Sequence, residues 1–194
     1  MRNLKAKMFN KKASDPRNKP DQILEALELR QGQNVADIGA GGGYFCLRFA
    51  EAVGGKGKVY AVDTNPRFLE FIKNGAKEKR LNNVKTILVV GENLALPEGG
   101  LDLVFMRNVC HHLTNRVKYF KKLRRFLKPE GRVAIVEYTH AKPFTFRGMF
   151  GHYVPQETII EEMKKAGYRV KQEFGFLLEQ SFAIFSKIKI SDES

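Results

Sequence analysis

The sequence predicts an α/β protein with a mostly parallel sheet and helices on both of its faces. Three observations carry that expectation. Apolar, strand-like runs alternate with amphipathic helical stretches along most of the chain. The run Asn34-Val35-Ala36-Asp37-Ile38 leads into Gly39-Ala40-Gly41-Gly42-Gly43, and an amphipathic stretch starts at once from Tyr44. That is the order of a buried strand, a tight turn and a helix. A second acid, Asp63, closes the next apolar run about 20 residues beyond those glycines, where an acid can meet a ribose.

The chain has 194 residues, 43% of them hydrophobic, enough for one domain with a substantial core and short for two. Its two cysteines, Cys46 and Cys110, make neither a disulfide framework nor a metal cluster, and no metal site is expected. No apolar run approaches the ~20 residues that span a bilayer. The basic N-terminus lacks the apolar core of a secretory signal, so a soluble, cytoplasmic protein is the expectation. The formal net charge of +13 favours anionic partners, nucleic acid among them. Part of the excess is local. Arg2, Lys5, Lys7, Lys11, Lys12, Arg17 and Lys19 precede the expected fold, opposed only by Asp15.

Residues 1–20 contain two prolines and no sustained apolar period, which predicts a mobile or draped basic lead-in. Asp21 is expected to cap a helix through Ile23, Leu24, Leu27 and Leu29. Lys58 to Asp63 reads as the second strand. Asn65 and Pro66 then supply an N-cap and a first helical position for a helix carrying Phe68, Leu69, Ile72 and Ala76. Asp63 could alternatively serve only as a cap of that helix. Val84 to Val90 reads as the third strand and Leu101 to Met106 as the fourth.

A helix is expected over 114–128, with Val117, Phe120, Leu123 and Leu127 inside and a basic stripe of Lys118, Lys121, Lys122, Arg125 and Lys128 mostly outside. The stripe reads as a solvated face or as a phosphate-binding one. Lys128-Pro129-Glu130-Gly131 is a predicted turn and Arg132 to Glu137 the fifth strand. Tyr138, His140, Phe144, Phe146, Phe150, His152 and Tyr153 follow in a connection that could form a substrate wall, a lid or ordinary core. Pro155 opens a further helix that Gly167 ends. Tyr168 to Phe174 and Ser181 to Ile188 read as a closing hairpin with a tight connection at Gly175. Residues 189–194 should fray, which leaves 21–188 as the domain.

The glycine turn narrows the ligand. A dinucleotide fingerprint counted from Gly39 would need a glycine at Tyr44, and the turn lacks the Gly-Lys-Ser/Thr ending of a triphosphate loop. Asp37, two residues before the first glycine, would repel a pyrophosphate but suits a ligand with a cationic amine. The pattern Asp37-x-Gly39-x-Gly41-x-Gly43 resembles motif I of class I S-adenosylmethionine-dependent methyltransferases. The block from the fourth strand through Phe126-Leu127-Lys128-Pro129-Glu130-Gly131-Arg132-Val133 resembles the ubiquinone/menaquinone-biosynthesis group of that class.

The resemblance covers roughly Asp21 to Lys187. It implies a Rossmann-like three-layer sandwich with seven strands in the order 3-2-1-4-5-7-6, the last antiparallel. It also implies S-adenosylmethionine as cofactor, with Asp37, Gly39, Ala40, Gly41, Asp63, Thr64, Glu92, Asn93 and Arg107 around it. Glu92 stands where the family usually has Asp. The preceding segment would cover the cofactor, with Arg17 reaching the methionine carboxylate or remaining solvated. His111 and His112 follow the fourth strand, where ligands of open α/β sheets sit. They read as a general base or as structural support, with Glu137 and Tyr138 as further catalytic candidates. Cys110 reads as a small packed residue.

The expected acceptor is a small molecule, because no separate recognition domain is present. An RNA or ribosomal acceptor rests on charge alone, and a non-catalytic cofactor-binding protein is the third class. The segment Arg107-Asn108-Val109-Cys110 lacks the acid/Asn-Pro-Pro-aromatic motif of base-amino methyltransferases, and two cysteines are too few for arsenic methylation.

Overall fold

The computed structural model describes residues 3–91, 93–139 and 152–188. Its strands form one seven-stranded sheet in the order β3-β2-β1-β4-β5-β7-β6. The chain divides into two compact units, Met1–Pro97 and Glu98–Ser194.

The first unit contains helix α1 (Leu4–Ala13), a 3₁₀ turn at Pro16–Asn18, helix α2 (Pro20–Ala26), strand β1 (Asn34–Ile38) and helix α3 (Tyr44–Val53). Strand β2 (Lys58–Asp63), helix α4 (Pro66–Glu78) and strand β3 (Val84–Leu88) follow. β1 pairs parallel with β2, and β2 with β3, in unbroken register. Crossovers between parallel neighbours need helices, which is why the apolar stripes of α3 and α4 exist. α3 buries Phe45, Cys46, Phe49, Ala50 and Val53. α4 buries Leu69, Ile72 and Ala76, and the Asn65 side chain accepts from Arg67 N at its start as expected.

Three expectations differ from the structure in this unit. Residues 4–13 form a helix, where the sequence predicts a mobile or draped lead-in without helical periodicity. α1 buries only Ala6 and Ala13, so its sequence carries almost no apolar period. Asp21 does not cap α2. Lys19 occupies the N-cap position with φ +45, and Asp21 sits in the first turn, where it pairs with Arg48 at 3.0 Å. The third strand also stops at Leu88, two residues short of the expected end.

The second unit contains strand β4 (Leu101–Arg107), a 3₁₀ turn at Cys110–His112, helix α5 (Arg116–Leu123) and strand β5 (Leu127–Tyr138). Helix α6 (Gln156–Lys165) and strands β6 (Tyr168–Phe174) and β7 (Gln180–Lys187) complete it. β4 and β5 are parallel, whereas β7 runs antiparallel to both β5 and β6. α5 is shorter than expected at both ends. Asn115 caps it by accepting from Lys118 N, and Leu127 belongs to β5 instead. The predicted turn at 128–131 is an excursion within β5, where the pairing jumps from Leu101↔Leu127 to Leu103↔Arg132. The last hairpin is connected by residues 175–179 rather than by a tight turn at Gly175. Gly167, at φ +83, follows the Ala166 cap of α6 as expected.

Phe120, Phe126, Phe182 and Phe185 are fully buried, and the Tyr168 hydroxyl donates to Phe120 O at 3.1 Å. His140, Phe144, Phe146 and Phe150 lie outside the described residues, as do Glu92 and residues 189–194. The expectation of a lid, the cofactor contact through Glu92 and the frayed tail therefore fall there.

Candidate functional site

In the first unit the glycine turn leaves the carboxyl end of β1 and is fastened to the end of β2. Gly39, Gly41 and Gly43 have φ of +72, +56 and +81. This is the left-handed region, where a side chain is strained and glycine is not. Gly41 N donates to Asp63 Oδ2 and Asn65 N donates to Asp63 Oδ1, both at 2.9 Å. Asp63 therefore holds the turn and starts α4 at the same time. It remains 9% exposed, and each carboxylate oxygen has a lone pair beyond the bond it accepts. Asp37 is buried at 4% in the strand below, Gly39 and Thr64 are exposed, and Ala40 and Gly41 are half-buried.

The α1 helix covers the other side of the turn. Asn10 Oδ1 accepts from Tyr44 N at 3.1 Å and satisfies one of the free N–H groups at the start of α3. A Cβ on Gly42 would lie 2.2 Å from Asn10 Oδ1 and 2.3 Å from Ala6 O. A Cβ on Gly41 would meet the Phe9 ring at 3.3 Å. The side chains of α1 thus take up one flank of the turn. Arg17, read as reaching a cofactor carboxylate or as solvated, makes three side-chain bonds to Asp15 and is 89% exposed. The Asn93 side chain accepts from Ala95 N at 3.2 Å and shapes the loop after β3.

The second unit holds a different arrangement. Glu137, near the end of β5, is fully buried. Its Oε2 accepts from Cys110 N at 2.8 Å, and its Oε1 accepts from Tyr138 N at 3.0 Å and contacts His111 Nδ1 at 2.9 Å. Because both oxygens already accept backbone N–H groups, the ring nitrogen is the donor. The His111 and His112 ring centroids are 4.1 Å apart, and His152 lies 5.0 and 5.5 Å from them. His152 is brought there because Val154 N donates to Tyr138 O at the end of β5. Arg107 ends β4. Asn108 follows in a left-handed conformation (φ +55), donates its N–H to Val136 O, and accepts from Gln180 Nε2 at 2.6 Å.

The family model described as a methyltransferase domain matches residues 29–175, well over half of the chain. The chain belongs to this methyltransferase-domain family. It is 27% identical over 140 residues to the uncharacterized methyltransferase YcgJ of Bacillus subtilis, covering 72% of this chain and 49% of that protein. It is 28% identical over 137 residues to a demethylmenaquinone methyltransferase of a Geobacillus species, covering 69% and 57%. The chain thus spans about half the length of the curated relatives it matches. The fold is similar to that of a solved SAM-dependent methyltransferase from Aquifex aeolicus, with a TM-score of 0.81 at 23% identity over 92% of this chain and 96% of that one.

In this methyltransferase-family chain, neither cysteine is arranged as a nucleophile. Burial, reinforced by Asp37, pushes the Cys46 thiol up, and burial followed by Glu137 does the same to Cys110. Both stay protonated near neutrality. His112 is held below its ordinary value, first by burial and then by the His111 and His152 rings, so it is a neutral imidazole. Sequence reasoning singled out Asp63, Glu137, His111 and His112 but missed Asn10, Asn108 and the gathering of His152. Asn108 could have been suspected, since Asn is among the few residues that tolerate φ > 0. Nothing local in the sequence marks Asn10.

Proposed function

We propose that the chain is an S-adenosylmethionine-dependent methyltransferase that transfers the sulfonium methyl to a small-molecule nucleophile by in-line displacement. The observation that carries this reading is the glycine turn bonded through Gly41 N to Asp63. It leaves the backbone at Gly39 and Gly41 free of Cβ atoms beside a carboxylate with acceptor capacity to spare. That donor and acceptor set fits an aminoacyl nucleoside. Asp63 would accept the ribose hydroxyls, and the Gly39–Gly41 backbone would lie against the aminoacyl portion. The negative charge of Asp37 favours its amine over a phosphate. Thr64 directly follows β2 and Asn93 lies in the loop after β3, and the family resemblance adds Glu92 and Arg107 to the proposed set.

When bound, S-adenosylmethionine supplies both the electrophilic methyl and its leaving group. The chain's own contribution is then chiefly alignment, which can be worth about 7–11 kcal/mol. Exclusion of water adds to it, because transfer disperses the sulfonium charge. A proton acceptor is needed only if the nucleophile carries a proton. Among the candidates, Glu137 has both oxygens engaged and acts through His111 by positioning it. Tyr138 is buried, at 5% exposure. A small-molecule acceptor is supported by the Geobacillus relative, whose name is demethylmenaquinone methyltransferase.

Calorimetry with S-adenosylmethionine and its product S-adenosylhomocysteine tests the cofactor. Incubation with methyl-labelled cofactor and fractionated metabolite or RNA pools tests the acceptor. Saturable cofactor binding with label in small molecules is expected. Label confined to RNA, with salt-sensitive RNA binding, would move the acceptor to the class that the +13 charge favours. Failure to bind either cofactor form would overturn the reading.

A further inference from the structure

Three of the four histidines in the sequence meet at one place in the second unit. One ligating nitrogen from each of His111, His112 and His152 lies within 4.8 Å of the others. His111 and His112 are adjacent in a 3₁₀ turn, where successive side chains diverge by about a third of a revolution, yet their rings lie 4.1 Å apart. His152 comes from 40 positions further along the chain. Behind the trio stands Glu137. Its carboxylate accepts a hydrogen bond from His111 Nδ1–H at 2.9 Å and is itself fixed by the backbone N–H groups of Cys110 and Tyr138.

That is the arrangement in which a buried carboxylate sets the tautomer of a ligating imidazole. Nδ1–H is held by the carboxylate, and the Nε2 lone pair is left to bind a cation. The His111 side chain is 6% exposed and that of Glu137 is not exposed at all, so the pair is rigidly packed. We propose that His111, His112 and His152 form a binding site for a divalent transition-metal ion, with Glu137 orienting His111 from behind. Three nitrogen donors exclude magnesium and calcium, which take oxygen ligands, and suit zinc or its first-row neighbours. Three imidazoles leave a tetrahedral ion with an open position for water or a ligand oxygen. The inference is independent of the methyl-transfer reading. An imidazole nitrogen given to a metal is closed to protons, so the ion would also remove His111 and His112 as general bases.

The test is titration of the chelator-treated chain with Zn²⁺ by calorimetry at pH 7.5, with Co²⁺ absorption as a second probe of tetrahedral nitrogen ligation. Stoichiometric 1:1 binding with a Kd of about 1 μM or tighter is expected. His112→Ala and His152→Ala should each weaken binding at least tenfold while the circular dichroism spectrum stays native. Glu137→Gln should weaken it by about 10–100-fold. Absence of saturable Zn²⁺ binding would overturn the assignment. So would binding that survives both His112→Ala and His152→Ala.

Discussion

Asp63 and Glu137 occupy comparable positions, one at the carboxyl end of β2 in the first unit, the other next to last in β5 in the second. Each fastens the loop that leaves a parallel neighbour: Asp63 holds the turn after β1, and Glu137 holds the 3₁₀ turn after β4. They differ in what remains. Asp63 accepts one backbone N–H on each oxygen and keeps an edge toward solvent. Glu137 accepts three donors and has no exposed surface. Asp63 thus has more acceptor capacity left over than Glu137, which fits the proposed binding role for the one and a positioning role for the other.

The comparison breaks most visibly in Glu137→Ala. Three buried donors would lose their acceptor at once, and the fold should lose about 3–5 kcal/mol in urea denaturation. A loss below about 1 kcal/mol would show that Glu137 does not hold the turn. Asp63→Ala should act mainly on binding, lowering affinity for S-adenosylmethionine by about 2–4 kcal/mol in calorimetry. Unchanged affinity would remove Asp63 from the site and make the two carboxylates equivalent after all.

Gly43→Ala asks how far the turn itself, rather than its acid, sets the geometry. The new Cβ would sit at φ +81 and 2.5 Å from Ile72 Cγ1. A stability loss of about 2–3 kcal/mol is expected in thermal or urea unfolding, and a neutral outcome would mean that α4 yields.

The smallest effect belongs to a third carboxylate, Asp15, whose side-chain bonds to Arg17 hold its pKa down at about 2, from 3.8. A depressed carboxyl stabilises the fold above its unfolded value and loses that contribution as pH falls. The window is therefore from about pH 3.8 down through about 2. An NMR titration of Asp15 with a midpoint near the ordinary value would show that the Arg17 pair does not persist in solution.

The strands of the first unit were legible because each is short, apolar and bounded by its own turn chemistry. β1 and β2 end where Gly39 and Asp63 announced, and Asn65-Pro66 starts α4 as its sequence says. α1 was not legible, because what it buries is two alanines, and helices with so little apolar surface are stabilised by the surfaces they meet. Here that surface is the glycine turn, with Asn10 at the start of α3. The start of β5 was misplaced because Pro129 and Gly131 are turn residues by propensity. Pairing of Leu101 with Leu127 keeps the strand going across them.

The sequence alone determined the class of fold, the glycine turn and the acid that accompanies it, since these follow from backbone sterics and periodicity within a few tens of residues. Only tertiary structure decided that Asp63 bonds to Gly41, that Glu137 meets Cys110 N and His111, and that His152 joins His111 and His112. Those are distances between residues 22 to 41 positions apart. They depend on strand register and on where β5 delivers the chain, which no local pattern encodes.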